Sequence, residues 1–135
     1  MREILFRGKR IDNGEWVYGN LNYGTIEIKS IKDSYYISDF GVNPWDKKFY
    51  PVIPESVGQY TGMTDKNGKN IFEGDIVKQR GFLNNYYSSV WYAAGRFLVR
   101  DYETLLPTAL GGISRYEIEV IGNIHDNPEL LEGKS

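Results

Sequence analysis

Apolar and polar residues alternate with a period of two along much of this chain, the spacing of a strand with one wet face. Ile4 and Phe6 alternate near the start, then Trp16 and Tyr18, then Ile26 and Ile28. Near the end, Tyr116, Ile118 and Val120 alternate with Glu117 and Glu119. Tyr86 to Ala93 and Arg96 to Asp101 read as two strands joined at Ala94-Gly95. Asn13-Gly14 separates two alternating runs and predicts a tight type I′ hairpin, because Asn-Gly tolerates positive φ. A second such pair, Asn67-Gly68, lies inside the densest patterned segment, Val57 to Val77, V-G-Q-Y-T-G-M-T-D-K-N-G-K-N-I-F-E-G-D-I-V.

The helical period is nearly absent. Leu105 to Gly112 is short and interrupted, which predicts no more than a turn. Asn127-Pro128-Glu129-Leu130 predicts one short C-terminal helical turn with Asn127 as cap and Pro128 first inside it. Pro51 and Pro54 bracket two apolar residues and mark a break between an N-terminal β region, about residues 1–50, and the remainder, about 51–135. The terminal E-G-K-S is expected to be mobile. The expected fold is mostly β, in one domain of 135 residues.

Composition sharpens this picture. Eleven tyrosines raise the aromatic share to 15%, and fifteen glycines supply turns, both of which suit short strands. The net charge of −2 disfavours a chain-wide footprint on nucleic acid. With no cysteine there is no disulfide, thiolate metal site or thiol nucleophile, and one histidine, His125, excludes a multi-histidine metal site. The start of the chain lacks the apolar stretch of a signal peptide, and no apolar run is long enough to span a bilayer. A cytoplasmic protein without membrane contact is expected.

Candidate chemistry fails at named residues. A calcium loop counted from Asp65 would place Lys69 at its fifth, ligating position. Gly62 to Lys69 superficially resembles a phosphate loop, but Asn70 stands where Ser or Thr should hold magnesium, and no helix signal follows. No serine sits in a nucleophile elbow, and His125 reads as the end of a strand. Glu73 and Asp75 are the nearest approach to paired carboxylates, yet Gly74 between them suits a turn that Asp75 caps before the strand of Ile76-Val77. No catalytic residue, metal ligand or cofactor is expected.

Three segments resemble the YopX family of bacteriophage and prophage proteins: R-E-I-L-F-R-G-K-R with W-V-Y-G-N-L, then Val57 to Val77, then Y-E-I-E-V-I-G-N-I-H-D-N-P-E-L-L. They follow family order from end to end, while Asp33 to Trp45 and Phe82 to Gly112 carry little of the pattern. The resemblance implies an SH3-type small barrel in the C-terminal part, built around D-K-N-G-K and E-G-D-I-V. It implies no activity.

The expected function is therefore that of a phage or prophage accessory protein without enzymatic activity, acting on a protein partner or on copies of itself. The second reading is a nucleic-acid-binding module using the basic N-terminal strand and surface tyrosines. Either would draw on Arg2, Arg7, Lys9, Arg10, Tyr35, Tyr36, Tyr60, Tyr86 and Tyr87.

Overall fold

The computed structural model describes residues 5–26, 31–38, 48–81, 83–101 and 104–131. Arg2, Ile4, Ile28 and the E-G-K-S tail lie outside them. The fold is mostly β, and every strand pairing is antiparallel. Among the described residues no sheet closes into a barrel, and the only helical pieces are short 3-10 turns. The chain forms two compact units, 1–59 and 60–135, so the division falls a few residues beyond the Pro51–Pro54 break.

In the first unit, strands β1 (Phe6–Lys9), β2 (Trp16–Ile26), β3 (Ile31–Ser38) and β4 (Phe49–Pro51) lie in the order β4-β3-β2-β1, with the start of β5 (Gly58–Thr64) next to β1. Residues just after β4 turn back to the end of β1. Arg10 bridges to Val52, the Ile11 N–H donates to Pro51 (3.1 Å), and the Ile53 N–H donates to Lys9 (2.8 Å). Val52 also donates to Tyr35 of β3 (3.0 Å), so one segment is tied to both neighbours. Leu5, Tyr36, Ile37 and Val52 are buried there. On β1, Arg7 and Gly8 are buried and Phe6 only half-buried: Arg7 is 6% exposed, and its guanidinium carbon lies 4.7 Å from the Trp16 ring centre. A planar cation can stack on indole while its stem fills apolar space, which lets arginine occupy a core-facing position.

The second unit begins within β5, whose end pairs with β6 (Asn70–Phe72). It continues with β7 (Asp75–Arg80), β8 (Asn85–Ser89), β9 (Trp91–Ala93), β10 (Arg96–Arg100), β11 (Pro107–Ala109) and β12 (Ile118–Asn123). These form two sheets, β12-β7-β8 and β11-β10-β9. Ile71, Val77, Val90, Val99, Leu110, Ile118 and Val120 make its core, with Met63, Phe97 and Ile113 packed against them. The inward Ile118 and Val120 on either side of Glu119 are the alternation read in the sequence, but Tyr116 is exposed in a 3-10 turn that Ser114 caps. The Tyr86–Ala93 run breaks at Val90 into β8 and β9, which pair with different strands. Leu105 to Gly112 also holds the short strand β11.

The turns depart from the Asn-Gly rule in an informative way. The hairpin at Asn13-Gly14 exists, but Arg10 and Glu15 close it (2.8 Å), and only Gly14 has positive φ (73°). A type I′ turn needs both central residues there, so this is a longer loop. At Asn67-Gly68 the Gly68 N–H donates to Asp65 (3.0 Å), and the Asp65 N–H donates to Lys69 (2.8 Å). With Gly68 at φ 80°, that is a type I turn followed by a glycine bulge. The turn with both central residues at positive φ is Ala94-Gly95, at 53° and 79°. Alanine in the left-handed region carries a cost of roughly 1–2 kcal/mol. Ala94→Asn is therefore expected to stabilise the protein by about 0.5–1 kcal/mol, since asparagine tolerates that region better. A higher midpoint in urea checks it; an unchanged or lower midpoint contradicts it.

The C-terminal 3-10 turn, Pro128–Leu130, starts after Asn127 as expected. Its side chain does not cap that turn: Asn127 Oδ1 accepts the Asn123 N–H (3.2 Å).

Candidate functional site

The D-K-N-G-K and E-G-D segments are scaffold. Asp65 is 1% exposed, and its carboxylate faces backbone on two sides. Oδ1 accepts the N–H groups of Asn67 and Lys69, each at 2.9 Å, and Oδ2 accepts that of Val120 at 2.9 Å, 55 positions away. Beside it, the Lys66 N–H donates to Ile118 (3.0 Å). The carboxylate thus takes the part of a neighbouring strand's carbonyl along β12. Burial pushes its pKa up, but the N–H bonds from Val120, Lys69 and Asn67 outweigh it and hold it below the ordinary value.

Asp75, 2% exposed, accepts the Phe72 N–H at 2.7 Å across the Glu73-Gly74 turn, where Gly74 takes φ 91°. Gly74 also donates to Val90 (2.8 Å) and accepts from Ile124 (2.9 Å). Glu73 and Asp75 are therefore a turn residue and its cap, not two carboxylates converging on an open pocket.

A shaped surface lies in the first unit, where the 51–53 segment is drawn against the end of β1. A hollow of about 600 Å³ opens there between Arg10, Ile11 and Asp12 on one side and Lys48, Phe49, Tyr50 and Pro51 on the other. Its lining is chiefly apolar, and Ile11 is 58% exposed at its edge. Arg10 is held from two directions. Its Nε and Nη2 donate to Asp12 Oδ1 (2.9 Å) and Oδ2 (2.6 Å), and its guanidinium carbon lies 4.7 Å from the Tyr50 ring centre. That hydrogen bond, foremost, raises the pKa of Arg10 and lowers that of Asp12. The arrangement offers shape, a rigid aromatic and fixed charges of both signs, which is what recognition of another molecule needs.

A smaller hollow of about 310 Å³ in the second unit is lined by Tyr87, Ser88, Ser89, Trp91, Arg100 and Leu131. Ser88 Oγ accepts the Arg100 N–H (3.0 Å) and donates to the Ser89 carbonyl (2.9 Å).

The residues chosen from sequence as an interaction surface are spread over both units, and Arg2 is outside the described residues. Arg7 and Tyr36 are buried, at 6% and 2% exposure. Lys9 and Arg10 are half-buried in the first unit, and Arg10 alone lines the hollow. Tyr35 is exposed and packs on Tyr23, ring centres 4.8 Å apart. In the second unit, half-buried Tyr60 packs on Phe72 (5.5 Å), while Tyr86 and Tyr87 are half-buried on β8. Lys78 of β7 and Lys66 of the neighbouring turn are matched locally: Glu119 lies 3.1 Å from Lys78 and 3.7 Å from Lys66, and the Lys78 hydrogen bond, foremost, lowers its pKa. Ile11, Asp12 and Tyr50 were missed because a loop and a three-residue strand build the hollow and leave no periodic signal. The only hint was the acid two places after Arg10 in G-K-R-I-D.

The described residues define an antiparallel β protein of two units, with an apolar hollow in the first. The chain belongs to the YopX family, whose model, described as YopX protein, matches residues 5–132. Among solved structures it is similar to protein EF1440 from Enterococcus faecalis, with 27% identity and a TM-score of 0.56, covering 98% of this chain and 100% of that one. It is also similar to protein yopX from Bacillus subtilis, with 20% identity and a TM-score of 0.59 over 98% and 100% of the two chains. No curated protein matches. Among the described residues, no helix is long and apolar enough to cross a membrane.

Proposed function

We propose that this chain is a non-enzymatic accessory protein of phage or prophage origin that works in the bacterial cytoplasm by binding protein. The single observation that carries the binding role is the first-unit hollow, with its apolar lining and its arginine fixed between Tyr50 and Asp12. Partner binding gains from aromatic and arginine anchors that are already ordered, because little side-chain freedom is then lost. The phage setting rests on the family resemblance. The second unit is read as an SH3-type barrel variant: a hairpin, then β7 to β10, then 3-10 turns leading into the last strand support that reading.

The test is a photo-reactive benzoylphenylalanine in place of Ile11, exposed at the hollow's edge, in cells that produce the protein. Irradiation should yield an adduct to one defined polypeptide segment, and adding Tyr50→Glu should remove it. Adducts chiefly to nucleic acid, or none to protein, overturn the proposal.

A further inference from the structure

Several side-chain donors at the second-unit hollow have no partner among the described residues: the Nε and Nη2 groups of Arg100, the Trp91 indole N–H and the Ser89 hydroxyl. Arg100 is nonetheless held in place. Its N–H donates to Ser88 Oγ (3.0 Å), its carbonyl accepts from Gln79 Nε2 (2.7 Å), and its Nη1 donates to the Leu105 carbonyl (2.6 Å). That leaves the Nε–Nη2 edge, whose two parallel N–H groups match two oxygens of a carboxylate or phosphate. Lys78 and Arg10 each have an acid within ion-pair distance, whereas Arg100 has none among the described residues. Asp101 Oδ1 accepts the Thr104 N–H (3.2 Å), and Glu129, close to Leu131 in the chain, does not line the hollow.

Strand connectivity gathers these groups. Tyr87 and Ser89 alternate along β8 and share a face, and the break at Val90 carries the chain into β9, which opens with Trp91. β10 returns antiparallel to β9 and ends at Arg100, which Ser88 ties to β8. The Trp91 ring is half-buried, and among the described residues no aromatic or cation stacks on it.

We propose that this hollow binds a small organic oxyanion, a carboxylate or phosphate carried on a flat ring. The anion sits on the Nε–Nη2 edge of Arg100, with the Ser89 hydroxyl and the Trp91 N–H as further donors. The ring packs against Trp91, Tyr87 and Leu131. Because the unsatisfied groups are all donors, the site accepts an anion and rejects a cation. A volume of about 310 Å³ is small for a ligand pocket and suits one ring with one acid group. Three bonds fix Arg100 before the anion arrives, so little side-chain freedom is lost on binding. The site is separate from the protein-binding surface proposed beside Tyr50 and does not depend on it.

The experiment is an NMR titration of the whole isotope-labelled chain, followed at the tryptophan indole N–H signals. The chain has three tryptophans, and Trp91→Phe assigns the signal of interest by its loss. Adenosine monophosphate and phenylacetate are the probes. Either should move the Trp91 signal saturably while the Trp16 signal stays still, and the tighter probe names the oxyanion. The uncharged counterparts, adenosine and phenylacetamide, should bind roughly tenfold or more weakly. Arg100→Lys keeps the charge but loses the fork, and it should weaken the tighter probe by about the same factor. Ser89→Ala, at a hydroxyl with no structural partner, should melt like the parent and bind that probe several-fold more weakly. No saturable movement, equal binding of the uncharged counterparts, or parent-like binding by both variants overturns the proposal. So does an oligonucleotide that binds far more tightly than the monophosphate, since the hollow would then belong to a strand-binding groove.

Discussion

Replacing Asp65 with alanine is expected to destabilise the protein by about 3 kcal/mol. The carboxylate serves three backbone donors that are not equally replaceable. Asn67 and Lys69 lie in an exposed turn, where water can take over part of the loss. The Val120 N–H meets Asp65 at a buried position, and burying an unpaired donor costs about 1–3 kcal/mol by itself. Loss of the charge-assisted bonds at the turn adds the rest. Asp65→Asn should cost somewhat less, about 2 kcal/mol, because the amide keeps one acceptor oxygen but turns an NH₂ toward a donor.

Asp65 also predicts a pH dependence. Its folded pKa lies below the ordinary value of 3.8, so the folded state favours the charged form. The stabilisation is fully present above 3.8 and is lost as pH falls through that value toward the folded one. Asp65→Asn has no such titration, so the stability gap between parent and variant should be constant near neutrality and narrow below about pH 4. Urea unfolding across that range checks both parts. A gap that widens in acid contradicts the assignment.

Gly8→Ala is expected to cost about 2 kcal/mol, by crowding rather than lost bonding. An alanine Cβ at this buried position would lie 2.9 Å from each of Val52 Cβ, Cγ1 and Cγ2. Valine has little rotamer freedom with which to move aside, and residues 51–53 are tied to β1 and β3 by backbone bonds. The strain must then appear as a displacement of the segment that shapes the hollow. Adding Val52→Ala removes the two obstructing methyls but keeps the Cβ, itself 2.9 Å away, so the double variant should lose less than the sum of the two single costs. Costs that simply add would show that the contact with Val52 is not the cause.

These two positions show what the sequence discloses and what it withholds. Alternation at Ile118 and Val120 reveals an inward face because β12 pairs in even register with β7 from Ile118 to Val120. The E-G-D turn is equally legible, since glycine and a capping acid act on their immediate neighbours. Asp65 is legible only as part of a turn: its bond to Val120 spans 55 positions, and no local pattern carries that distance. Arg7 and Tyr36 misled for a related reason. Cations and tyrosines are usually exposed in part, and only the Trp16 ring and the strands beside β3 make these two interior. The type I′ turn fell at Ala94-Gly95 because strand register, not residue preference, decided which loop stayed at two residues.

The family resemblance drew attention to D-K-N-G-K, whereas the binding surface we propose is the hollow beside Tyr50. One paired measurement separates the two. Benzoylphenylalanine is placed at Ile11 in one variant and at Lys69 in another, both exposed and both in otherwise unaltered protein. The expected result is a polypeptide adduct from position 11 and none from position 69. An adduct from position 69 with none from position 11 would make the patterned turn the binding surface and the hollow incidental.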